Sequence, residues 1–317
     1  MKIPLIEDIC CAKKAFLHLI AGGIVILSIY LAGSFVISAF FNHCLRSYYC
    51  LKPARILCIG HSMSEMGIDK KILEKMLNVP VSKYCINGVG PVERLVMLKH
   101  YLEEVGEPPE YLIYDVSGRI FSSGLAEGSY QLFLPFLNES EVCRKHLASH
   151  ISSGKKLFYT VNPLRCYEDT RLGAVQRGLF RDWSTRKNTK FDAIAFQKEV
   201  EKGNYWHISL NELDVLAFEE TLDLCKTHNI KVLLVALPCV DILNDAEPEK
   251  YQLVMKKLEA YCHQYPNVSL IDYNPRYSNR YNLFADPIHV NPKGQKIISK
   301  AMCYDLIKLY KGNDCRK

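Results

Sequence analysis

Residues 15–41 contain no Asp, Glu, Lys or Arg, and that uncharged run constrains the chain more than any other feature. Wound as an α-helix at 1.5 Å per residue, it spans roughly 40 Å, enough to cross a bilayer with tilt. A buried soluble helix of that length carries a polar stripe, whereas this run is broken only by Ser, Gly and His18. It is also too long for the apolar region of a cleaved signal peptide. The sequence therefore predicts a single signal-anchor helix over 15–41, a cytoplasmic flank over 1–14, a polar linker over 42–54 and one large unit over 55–317. Lys2, Lys13 and Lys14 before the run nearly balance Arg46, Lys52 and Arg55 after it. The short amino-terminal flank favours the cytoplasm, which places the large unit on the outer face of the membrane; the cysteine content argues mildly for the opposite side.

Beyond the anchor the composition is that of a globular protein. With 317 residues, 49% apolar and 23% charged, the chain is neither a disordered tail nor a small disulfide scaffold. The net charge of +6 is mild, and no zinc-finger spacing or arginine-rich tract points to nucleic acid. The thirteen cysteines are odd in number and include no C-x-x-C pair. Cys58, Cys85 and Cys239 lie in or beside strand-like runs, which marks them as buried thiols. One or two disulfides stay open, Cys44 with Cys50 foremost.

Five apolar runs rich in β-branched residues, at 55–60, 81–86, 111–117, 230–238 and 267–273, punctuate the large unit. Residues 70–77, 92–105, 213–227, 250–263 and 295–310 repeat apolar side chains at three and four. Short strands alternating with helices predict a three-layer α/β/α sandwich around a five-stranded parallel, flavodoxin-like sheet of order 2-1-3-4-5. The alternation breaks over 120–207, an aromatic and basic insertion that follows the third strand. From 141 to 190 it holds eleven Lys and Arg against four Asp and Glu, and it carries both tryptophans, Trp183 and Trp206. It is expected to hang over the carboxyl edge of the sheet, either as a self-packed cap or as a ligand-binding elaboration.

In an open parallel sheet, chemistry sits beyond the carboxyl ends of the strands. Ser62 stands there after the first strand, behind Gly60 and His61. A hydroxyl needs a base to become a nucleophile, and a histidine base needs an acid to hold its tautomer. His289 and Asp286, three residues apart before the last helix, supply that pair. The Asn87-Gly88-Val89-Gly90 loop after the second strand can bring backbone N–H groups to a developing oxyanion, together with the N–H of Ser62. Each piece alone is commonly a helix cap or tight turn; their shared location at strand ends raises them above that. Glu93 occupies the third position of a would-be G-x-G-x-x-G, so a dinucleotide site is not expected. No H-E-x-x-H motif or Walker A loop occurs, and neither metal nor cofactor is expected.

The blocks Ile56-Leu57-Cys58-Ile59-Gly60-His61-Ser62 and Asp286-Pro287-Ile288-His289 resemble the first and last motifs of the SGNH/GDSL hydrolase superfamily. The resemblance covers 55–117 and 230–308 and leaves the insertion unmatched. It implies a serine acyl-ester enzyme with Ser62 as nucleophile, His289 as base and Asp286 as its orienting acid. Two positions depart from the pattern: His61 replaces the common aspartate before the serine, and the Gly-x-Asn-Asp block with its oxyanion asparagine is absent. Asp115, Ser117 or Asn87 are candidate substitutes, and His61 is expected to take a structural hydrogen bond in its turn. Anchored members resemble this chain in architecture and imply an esterase or O-acyltransferase, commonly for acetyl, on exported or cell-envelope polysaccharide, with a multi-pass membrane acyltransferase as acyl donor. Trp183 and Trp206 are then candidates for stacking on sugar rings. A non-catalytic envelope binding protein and a lipid-directed esterase are the competing readings.

Overall fold

The computed structural model describes residues 5–122, 129–167, 169–185 and 188–314. A five-stranded parallel sheet of order β2-β1-β3-β4-β5 forms the centre. Its strands are β1 (Ile56–Gly60), β2 (Val81–Cys85), β3 (Tyr111–Val116), β4 (Lys231–Ala236) and β5 (Val268–Asp272). Ile56 pairs with both Val81 and Tyr111, Tyr111 with Lys231, and Val232 with Val268. All five expected strands are present, within two residues of their expected ends, and the strand order is the expected one.

Side chains alternate across the sheet. Leu57, Ile59, Leu112, Tyr114 and Leu234 enter one buried cluster; Ile56, Cys58, Ile113, Leu233 and Val235 enter the other. The first face is covered by α4 (Pro91–Val105), α9 (Glu212–Thr227) and α11 (Pro248–Gln264). The second is covered by α2 (Ser62–Gly67), α3 (Lys70–Leu77), α10 (Asp241–Asn244) and α13 (Pro292–Asp314), with the short α12 (Asn274–Tyr277) after β5. Local chemistry fixes the helix ends. Asp69 caps α3 by accepting the N–H groups of Lys71 and Ile72, and Pro91 opens α4 at a position that needs no N–H donor.

The amino-terminal helix differs from the expected layout. It is continuous as α1 (Leu5–Tyr49), and its last turns are not a linker: Cys44, Leu45, Tyr48 and Tyr49 belong to the first core cluster. The insertion differs too. Its described residues form α5 (Glu141–Ala148), α6 (Ser153–Val161), α7 (Asp169–Phe180) and α8 (Ala193–Glu201), with 3₁₀ turns at Ser129–Phe136 and Pro163–Cys166. Much of it climbs along α1. Ser34, Ser38 and Asn42 form a stripe at i, i+4 and i+8 whose polar groups need partners. Ser34 Oγ donates to Asn162 Oδ1 (3.0 Å) and accepts from Leu164 N (3.0 Å), and Asn42 Nδ2 donates to Pro135 O (2.9 Å). Higher up, α7 touches α1 so closely that a Cβ on Gly178 would lie 1.9 Å from Cys44 O. Cys44 and Cys50 are buried and unbonded, as are the other eight cysteines with described side chains, Cys262 alone being half-buried.

His100 carries a pH signal. It is buried against Tyr84, whose hydroxyl lies 2.9 Å from Nδ1, and burial lowers its pKa from 6.5 to about 4. The unfolded chain therefore binds this proton at higher pH than the folded one does. Its contribution to stability is complete above pH 6.5 and is lost as pH falls towards about 4. At ~1.36 kcal/mol per pKa unit the loss is about 3 kcal/mol at most. The melting temperature is expected to fall on acidification from pH 7 to pH 4.5, and less steeply in His100→Gln; equal slopes would contradict this.

Candidate active site

β1 ends at Gly60, His61 is extended, and α2 begins at Ser62. As the first helical residue, Ser62 directs its N–H out of the helix end, where no intrahelical acceptor exists. The turn is held from both ends. At its start, Asp115, on β3 beside β1, accepts at Oδ2 from the backbone N–H groups of His61 and Ser64 (3.2 Å each) and from His61 Nδ1 (2.8 Å). Its Oδ1 lies 2.6 Å from Arg94 Nη1. Gly60 makes room for this carboxylate: a Cβ there would stand 2.6 Å from Asp115 Oδ2 and from Ser64 Oγ. At the far end, buried Lys83 donates from Nζ to Glu65 O (2.8 Å) and to Ile68 O. The Glu65 side chain accepts from Tyr48 of α1 (2.6 Å) and Arg177 of α7 (2.9 Å).

Burial alone pushes the Asp115 carboxyl up, but Arg94 and His61 outweigh it and hold the group well below the usual carboxylate range. Burial dominates at His61 and lowers its pKa despite Asp115, so its ring is neutral at pH 7 and donates Nδ1–H to Asp115. The expectation of a structural hydrogen bond for His61 holds. Asp115, as an ionised acceptor, does not donate to an oxyanion.

The second carboxylate–imidazole pair lies in the loop before α13. Asp286 Oδ1 accepts the N–H groups of Ile288 (3.0 Å) and His289 (2.9 Å), and the carboxylate lies 2.8 Å from His289 Nδ1 through Oδ2. An antiparallel bridge between Phe284 and Val290 closes the loop, and Val240 N donates to Pro287 O (2.9 Å). α13 seats this loop against α2: Ser299 Oγ accepts from Asp69 N (2.8 Å) and donates to Gly67 O (3.4 Å). Gly67 also faces Val290, which follows His289. Both Ser62 (6% exposed) and His289 (9% exposed) are buried.

The other candidates fall differently. Gly90 N–H, expected at the oxyanion, donates to Glu93 Oε2 (2.9 Å) in the cap of α4. Gly88 is half-buried in the left-handed conformation (φ 80°), and Asn87 is exposed. Trp183 does not join the site: its indole N–H donates to Tyr48 O (2.8 Å), and Lys70 Nζ lies 4.9 Å from the ring centroid. Trp206 lines a small cavity with His61, Gly90, Arg94 and Arg119. Sequence reasoning missed both arginines. Arg94 stands directly before the apolar run 95–98, as Lys99 stands directly after it, and nothing in the sequence separates the two; Arg119, which donates to Leu243 O (2.8 Å) and to Trp206 O, carries no signal either. His146 and His150 stand four apart, as ligand pairs do, but no group of three metal-ligating side chains occurs among the described residues. A cavity of about 770 Å³ is lined by Tyr111, Lys231 and Val268 at the opposite edge of the sheet.

No family model matches the chain, and no curated protein matches its sequence. The class defined by fold and site is an α/β/α sandwich with a serine turn and a carboxylate–imidazole loop at one sheet edge. Among solved structures, one protein assigned as an acylhydrolase from Bacteroides fragilis is similar at 12% identity, covering 80% of this chain and 87% of its own, with a TM-score of 0.42. A GDSL-like lipase from Bacteroides thetaiotaomicron is similar at 12% identity, 80% and 88% coverage and a TM-score of 0.40. A protein assigned as lipolytic, of the G-D-S-L family, from Desulfitobacterium hafniense is similar at 9% identity, 80% and 98% coverage and a TM-score of 0.39. Likeness at this level does not bear on activity; the α/β/α assignment rests on the sheet order and register above.

Proposed function

We propose that the chain is a membrane-anchored serine acyl-ester enzyme, a hydrolase or O-acyltransferase, acting on acylated polysaccharide at the outer face of a bacterial inner membrane. The observation that carries the reading is the Asp286–His289 pair, preset in a closed loop against the helix that starts at Ser62. With Nδ1 committed to Asp286, Nε2 takes the Ser62 proton as Oγ forms a bond to the acyl carbon. The sugar oxygen leaves with that proton. Water, or an acceptor hydroxyl in the transferase case, then gives its proton to Nε2, takes the acyl group and restores Ser62. The Ser62 N–H, with Asn87 and Gly88, supports the oxyanion; Gly90 contributes only once Glu93 lets its N–H go. Trp206 and Arg119, beside His61, suit a sugar ring bearing negative charge. The anchor is α1, which is long and apolar enough to span a membrane, and a multi-pass acyltransferase is the proposed acyl donor.

Incubation of the full chain with O-acetylated acidic polysaccharide is expected to release acetate, or to move acetyl to an added glycan, and Ser62→Ala is expected to do neither. Equal activity of the two would refute the reading. The spent Gly90 N–H favours a second reading, in which the chain binds such glycans without turning them over. Retained binding with no acyl transfer would establish it.

A further inference from the structure

No residue of α6 is fully buried, a feature it shares with α8. Leu157, Phe158 and Val161 share one face and are 64%, 49% and 43% exposed. Lys155 and Lys156 flank that face on either side. Apart from Tyr159, which packs half-buried against the first core cluster, α6 covers little apolar surface with its own protein and gains little of the packing that ordinarily stabilises helices. Its position on α1 identifies what it packs against. Asn162, the residue that ends α6, bonds Ser34 and lies 3.3 Å from the Tyr30 hydroxyl. Below this point α1 is bare: residues 13–29 are all exposed. From 15 to 33 the helix rises about 28 Å, close to the ~30 Å of a hydrocarbon core. Above it, one side of α1 is covered by the insertion at Ser34, Ser38 and Asn42, while Phe35, Val36, Ile37 and Phe40 on the other side stay exposed and apolar.

We infer that α6 lies in the lipid interface of the leaflet at which α1 emerges, with Leu157, Phe158 and Val161 in the acyl boundary and Lys155 and Lys156 at anionic headgroups. The inference rests on the anchoring part of the proposed function. A basic, apolar-faced helix at the level where a spanning helix leaves the hydrocarbon matches interfacial docking, with lysine stems reaching along apolar surface to the headgroups. It also sets the height of the site. Tyr48, which bonds Glu65 of α2, stands fourteen residues above Ser34, a rise of about 21 Å. A site held that far above the acyl boundary reaches a polymer or a soluble ester rather than the acyl ester of a bilayer lipid.

Tryptophan placed at each level reads this directly. The full chain is reconstituted in phosphatidylcholine–phosphatidylglycerol vesicles brominated near the glycerol or the methyl end of the acyl chains, with the native tryptophans as baseline. Leu157→Trp and Phe158→Trp are expected to lose emission chiefly to the glycerol-end bromines, Leu27→Trp to the methyl-end bromines, and Leu253→Trp, on α11, to neither. Quenching of Leu27→Trp without quenching at 157 or 158 would overturn the docking of α6 while leaving the anchor intact. Absence of quenching at Leu27→Trp would overturn the anchor reading, and the docking of α6 with it.

Discussion

His289→Ala is expected to slow ester turnover by on the order of 10⁴-fold or more, and Asp286→Asn by about 10³–10⁴-fold, with the fold intact in both. The chain carries two imidazole–carboxylate pairs, His61–Asp115 in the turn that leads to Ser62 and Asp286–His289 in the loop before α13, and the assignment of the base depends on their electrostatics. In the His61–Asp115 pair, Arg94 already neutralises the carboxylate at 2.6 Å, so an imidazolium at His61 gains little there, and burial keeps that ring neutral. In the other pair Asp286 reaches His289 Nδ1 at 2.8 Å and is itself oriented by two backbone N–H groups. His61→Gln is therefore expected to cost turnover far less than His289→Ala. Steady-state rates with p-nitrophenyl acetate decide the order, and a reversed ranking would move the base to His61.

Asp115→Ala is expected to be the most destabilising single change at the site, costing about 3–5 kcal/mol, because it leaves the Arg94 guanidinium buried without its counter-charge. It also removes the acceptor for two backbone N–H groups and for His61 Nδ1, which loosens the turn that presents Ser62. For a domain of this size the melting temperature is expected to drop by about 10 °C. Arg94→Met in the Asp115→Ala background removes the stranded charge and is expected to recover part of that loss. Additive effects of the two changes would show that the pair does not carry the turn.

The sheet was legible because its strands are continuous apolar runs, which only a sheet covered on both faces produces; 111–117 and 230–238 differ from β3 and β4 by two residues or less at either end. The Asp286–His289 pair was legible because three residues of turn bring its two side chains together without help from the rest of the fold. What reading along the chain does not capture is contact between distant segments. The stretch 42–54 looks like a linker from its polarity, yet Leu45, Tyr48 and Tyr49 are core because the insertion and α4 close around them; Arg46, within that stretch, pairs with Glu104 and Glu139. Gly90 looks like an oxyanion donor until Glu93, three residues on, claims its N–H. Trp183 looks like a stacking residue until Tyr48, 135 positions away, accepts its indole proton.

Covalent labelling of the full chain with a fluorophosphonate, followed by intact mass, tests the activated serine most directly. One adduct per chain on the wild type and none on Ser62→Ala is the predicted result. A folded wild type that takes no adduct, or an adduct that persists in Ser62→Ala, would contradict Ser62 as the nucleophile.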